Sequence, residues 1–65
     1  MSGIRHGVVL QIDIEEEHGT IIDDNCQDIH FLTEKLIADI NVGDKVSFEI
    51  HLGSTGLSAV NINLQ

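Results

Sequence analysis

The residues of this chain whose types could do chemistry are four histidines, one cysteine and the run Glu15–Glu17. Imidazoles on neighbouring strands suit Zn²⁺ or Ni²⁺, and His18, His30 and His51 all fall in strand-like segments. No short ligand spacing joins them, so they read as solvated surface and no metal or cofactor is expected. As a set, four protonated imidazoles would carry the net charge from −8 toward about −4 near pH 5.5. The glutamate run could hold a cation or a basic partner; its simpler role is a solvated turn that discourages edge aggregation. Cys26 stands in a turn with no cation near it in sequence, the setting of a bystander thiol. Glu34 and Lys35 read as one solvated helical turn. There is no nucleophile with a base at readable spacing, no phosphate loop and no carboxylate pair in a definable cleft. No enzyme is expected.

Those side chains need elements to position them, and the composition limits what the elements can be. Sixty-five residues, 42% of them hydrophobic, suffice for one small core, so residues 1–65 read as a single folded domain. Phe31 and Phe48 are the only aromatic residues, and Pro is absent. Three basic against eleven acidic residues make a field that repels phosphate backbones and anionic membranes. A single cysteine excludes an intramolecular disulfide and a cysteine-based zinc site, and suits a reducing cytoplasm. No run approaches the roughly 18 apolar residues of a membrane span, and no targeting segment is visible.

Along the chain, residues 7–14 (GVVLQIDI) alternate with Val8, Leu10, Ile12 and Ile14 on one face. Val9, Gln11 and Asp13 fall on the other. Adjacent valines at the start imply burial on both sides there, or a bulge midway. The acidic residues 15–17 end the run as a turn. Residues 18–23 (HGTIID) predict a second strand, with Gly19 marking a close backbone approach. The Asx-rich stretch 23–27 is turn chemistry. A third strand over 28–32 puts Ile29 and Phe31 on one side and His30 and Leu32 on the other. Residues 33–40 allow one or two helical turns, with Thr33 as a possible N-cap and Leu36, Ile37 and Ile40 facing inward. Val42-Gly43-Asp44 is a turn. Residues 45–52 alternate cleanly, with Val46, Phe48 and Ile50 inside and Ser47, Glu49 and His51 outside. Gly53-Ser54-Thr55-Gly56 predicts a hairpin turn, and LSAVNINL closes a fifth strand. Five short strands with a helical turn after the third predict an all-β, closed or nearly closed barrel.

The order of pieces resembles the bacterial cold-shock domain, a five-stranded antiparallel OB-fold barrel. That family runs from a Gly-initiated strand through K-G-F-G-F-I, D-V-F-V-H and L-x-x-G-x-x-V-x-F segments to G-P-x-A-x-N-V. This chain answers with Gly7, EHGTI (17–21), DIHFL (28–32), INVGDKVSF (40–48) and GLSAVNI (56–62). The resemblance covers about residues 7–64 and is most specific in the last third, at Gly43, Val46, Phe48, Gly56, Ala59, Asn61 and Ile62.

The resemblance implies a non-catalytic module that binds single-stranded RNA or DNA on the face of strands 1–3. The family stacks unpaired bases there on aromatic side chains. In this chain His18 and Thr20 stand at the first motif's two phenylalanines, and His30 at the aromatic of the second. Leu32 replaces that motif's histidine, Thr33 the aromatic after it, and Gln11 and Ile12 the first strand's Trp-Phe pair. Base–aromatic stacking is worth about 1–3 kcal/mol per base. Weak, sequence-tolerant binding through Gln11, Ile12, His18, Thr20, His30, Leu32 and Thr33 is therefore expected. The alternative is a cold-shock-like domain that has lost this binding and docks a protein or acts in regulation. Ile12, Leu32 and Thr33 would then form an apolar patch with histidines and acids at its rim.

Overall fold

In the computed structural model, which describes residues 3–36, 39–54 and 56–65, five strands close into a barrel. They are β1 (Arg5–Asp13), β2 (His18–Asp23), β3 (Asp28–Leu32), β4 (Lys45–Gly53) and β5 (Gly56–Leu64). Among the described residues one 3-10 turn, Thr33–Lys35, lies between β3 and β4. Around the barrel the order is β1-β2-β3-β5-β4, antiparallel except for a short parallel junction of β3 with β5. Closure gives each strand a neighbour on both sides over part of its length, which shortens the exposed edge that serves as a template for aggregation.

The alternation of apolar residues explains which side of each strand faces in. Ile21, Ile29, Phe31, Val46, Phe48, Ala59 and Ile62 fill the interior, joined by Val9 and Ile40. Both aromatic rings of the chain are therefore spent on the core. Gly19 is required by packing, because a Cβ there would collide with the Phe31 ring and the Gln11 carbonyl oxygen.

β1 departs from its expected phase. Its register with β2 shifts between Val9 and Gln11, so Leu10 is the extra residue of a bulge. Before the bulge Gly7 and Val9 face inward; after it Ile12 packs toward the core while Gln11 is exposed. Leu10 and Ile14, expected on one face with Ile12, are 48% and 76% exposed, whereas Ile12 turns toward the core. The β3–β4 connection is clipped to β1 beside the bulge: Val9 N–H donates to the Asp44 carbonyl at 3.1 Å, and Gly43 N–H to Val9 at 2.8 Å.

Within the expected helical segment, Thr33–Lys35 form a 3-10 turn. Leu32 occupies its N-cap position without any side-chain capping bond, and Thr33 is already inside the turn. Leu36 then takes an extended conformation and bridges to Ile62, which ends the turn on the barrel wall. Leu36 is half-buried and Ile40 buried; the expectation for Ile37 and for Thr55 in the hairpin turn falls outside the described residues.

Candidate nucleic-acid interface

On the outer face, register does the positioning. Gln11 lies opposite Thr20, and Thr20 opposite His30, so three strands contribute one continuous cross-strand row. A second row runs Asp13, His18, Leu32 across the same strands. Side chains directly opposite on an antiparallel pair have Cβ atoms about 4.5–5.5 Å apart, so each row is a contiguous surface strip. His18 and Thr20 are half-buried between neighbours, whereas Gln11, His30 and Leu32 are exposed.

Ile12 does not share this face. It pairs with Gly19, packs against the core and lines the open end of the barrel. The Leu10 bulge causes this, by advancing the phase of β1 one residue before Gln11. Thr33 lies on the 3-10 turn, half-buried, and lines the same barrel end as Ile12. Of the seven sequence-derived residues, Gln11, His18, Thr20, His30 and Leu32 are thus brought together, and Ile12 and Thr33 sit elsewhere.

The first row also continues where the sequence gives no signal. Across the parallel junction His30 is in register with Ser58, and Ser58 with His51 on β4. The Ser58 hydroxyl donates to the His51 carbonyl oxygen at 3.5 Å. Ser58 lies in a small-residue stretch of an ordinary strand, and only the non-local parallel contact carries it to His30.

Electrostatically the two rows hold no lysine or arginine. Arg5 is turned to Asp23, with guanidinium and carboxylate 3.4 Å apart, and the Lys35 ammonium is 3.9 Å from Glu34. Asp13 and the Glu15–Glu17 turn border the second row. Among the described residues no three His, Cys, Asp or Glu side chains come together as a metal-binding group. Beside the Asp13 carboxylate the face can offer imidazole rings, an amide, hydroxyls and one leucine, suited to contact with base edges and faces more than with phosphate.

No protein-family model matches the chain, and no curated protein matches it. Solved structures do. The CSD456 segment of Drosophila Unr, which contains cold-shock domains, superposes with a TM-score of 0.82 at 18% identity over 98% of this chain. This chain spans only 27% of that one. The fold is an OB-fold barrel. Apo-CusF of Escherichia coli (residues 6–88) shares it, with a TM-score of 0.76 and 24% identity over all of this chain and 88% of that one. A Cu(II) form of a CusF variant (residues 10–88) gives 0.73 and 27% over 95% of this chain and 89% of the other. The OB barrel thus unites a cold-shock protein and a copper-associated one among its neighbours, and the site residues have to decide between roles.

Proposed function

We propose that residues 1–65 form one non-catalytic domain that binds single-stranded RNA or DNA weakly and with little sequence preference. The contact surface is the outer face of β1–β3, and the cytoplasm is its setting. The observation that carries this reading is the in-register row Gln11–Thr20–His30, flanked by His18 and Leu32. The likeness to the Unr segment supports it at the level of the barrel. Imidazoles stack on bases, less well than larger rings do, and the amide and hydroxyls can pair with base edges. With no cation in the rows, few phosphates are neutralised and the dependence on salt is shallow.

The test is titration of the ¹⁵N-labelled protein with an oligo(dT) heptanucleotide, followed by NMR. Saturation is expected at a dissociation constant no tighter than tens of micromolar, about −6 kcal/mol. Shifts should concentrate at Gln11, His18, Thr20, His30 and Leu32. Nanomolar binding, or shifts confined to another surface, would overturn the assignment of this face. Docking of a protein on the same face has less support, because Ile12 packs on the core and Thr33 lines the barrel end with it, which leaves Leu32 as the one apolar side chain of the two rows.

A further inference from the structure

The open end of the barrel, away from those two rows, joins apolar side chains to carboxylates. Ile12 and Leu36 form half-buried walls and Ile40 a buried floor, while Ile14 and Val42 project at 76% and 59% exposure. Singly exposed aliphatic residues are ordinary, but these five share one groove. Six of the eleven acidic residues, namely Asp13, Glu15, Glu16, Glu17, Glu34 and Asp39, flank the groove residues along the chain. The backbone fixes their placement: Thr33 N–H donates to the Glu17 carbonyl at 3.0 Å, which ties the β1–β2 turn to the 3-10 turn. The Asp13 carboxylate accepts the Glu16 N–H at 3.0 Å, which fixes the acidic turn that follows Ile14. The nearby cation Lys35 is already beside Glu34.

We propose that this groove docks a basic protein segment with an apolar stripe, its aliphatic side chains covering Ile14 and Val42 and its lysines or arginines meeting the rim. Charge decides the occupant. A nucleic acid or an anionic membrane would bring phosphates against Asp39 in the lining and into the field of an acidic chain, and a second copy would bring another net charge of −8. An amphipathic basic segment is attracted by the rim and desolvates the groove. The groove's lining shares no residue with the two rows, and only Asp13 and the glutamate turn lie between them, so shifts in the lining and shifts in the rows test the two assignments separately.

The probe is a peptide with leucine on one helical face and lysine on the other, about five turns long. Oligolysine of equal charge is the comparison, and NMR of the ¹⁵N-labelled protein the readout. The Leu–Lys peptide should shift Ile12, Ile14, Leu36 and Ile40–Val42, and bind at least about tenfold more tightly than oligolysine. Val42→Asp and Ile14→Asp, checked for folding by spectral dispersion, should each weaken it by a similar factor. Absence of binding, equal binding of oligolysine, shifts on the β1–β3 rows, or unchanged affinity in both folded variants would each overturn the proposal. So would unfolding of both variants, since it would mean that neither side chain is free at the surface.

Discussion

His30 has Thr20 on one side and Ser58 on the other, and it is exposed, so its ring is open to a stacked base. The same geometry makes the family's aromatic pattern restorable. His18, Thr20 and His30 all point outward on adjacent strands, so larger side chains there do not overpack the core. Phenylalanine also favours strands, and the triple variant His18→Phe, Thr20→Phe, His30→Phe should fold. Three platforms at about 1–3 kcal/mol each bound the gain at ~3–9 kcal/mol. The lower end, about a hundredfold in affinity, is expected, because Gln11 supplies no stack and the Glu15–Glu17 turn repels the backbone. Anisotropy of a labelled oligo(dT) with wild type and variant side by side measures it. A folded variant that binds no better would show that these positions do not form the contact face.

The turns are the elements whose side chains decide stability. The Asp23 carboxylate, 2% exposed, accepts the N–H groups of Asn25 and Gln27, each at 2.9 Å, and faces Arg5. Cys26 in the same turn adopts φ of 62°, a left-handed conformation that costs a Cβ-bearing residue about 1–2 kcal/mol relative to glycine's freedom. Two substitutions in one turn should therefore act in opposite directions. Asp23→Ala strands two donors and should lower stability by about 1–3 kcal/mol. Cys26→Gly relieves the strain, offset by glycine's entropy, and should raise stability by about 0.5–1 kcal/mol. Urea unfolding followed by far-UV circular dichroism reads both, and a destabilised Cys26→Gly would contradict the left-handed turn. What the sequence makes legible follows from the same local logic. β2, β3 and most of β4 alternate without interruption, so their inward and outward residues, including His18, Thr20 and His30, are readable from the residue pattern. A bulge breaks the count in β1, which is why Leu10 and Gln11 are both out and Ile12 turns in, while Ile14 already lies in the turn after the strand. The row's extension to Ser58 and His51 depends on a parallel contact between residues far apart in the chain, which no local pattern encodes.

At the scale of the whole molecule, the barrel is a strongly acidic body whose proposed contact face carries imidazoles in place of fixed cations. The net charge of −8 raises the electrostatic work of bringing up a phosphate chain, and nothing in the two rows offsets it at neutral pH. Histidine as a residue type takes up its proton between about pH 7.5 and 5.5, the interval in which carboxylates generally stay ionised. Acidification across that interval therefore adds positive charge and removes none, so the sign is fixed: oligonucleotide binding strengthens as pH falls. Four histidines contribute to the global field, but only His18 and His30 sit within the rows on β2 and β3, with His6 on β1 and His51 on β4. The double variant His18→Gln, His30→Gln keeps polar side chains of similar reach and leaves His6 and His51 in place. Its binding to oligo(dT), measured by anisotropy at constant ionic strength, should lose most of the pH response while the fold is retained. A variant that kept the full response would mean that His6, or His51 at the far end of the extended row, carries the effect. The nucleic acid would then not pass over His18 and His30, and the face assignment would fail even if binding itself persisted.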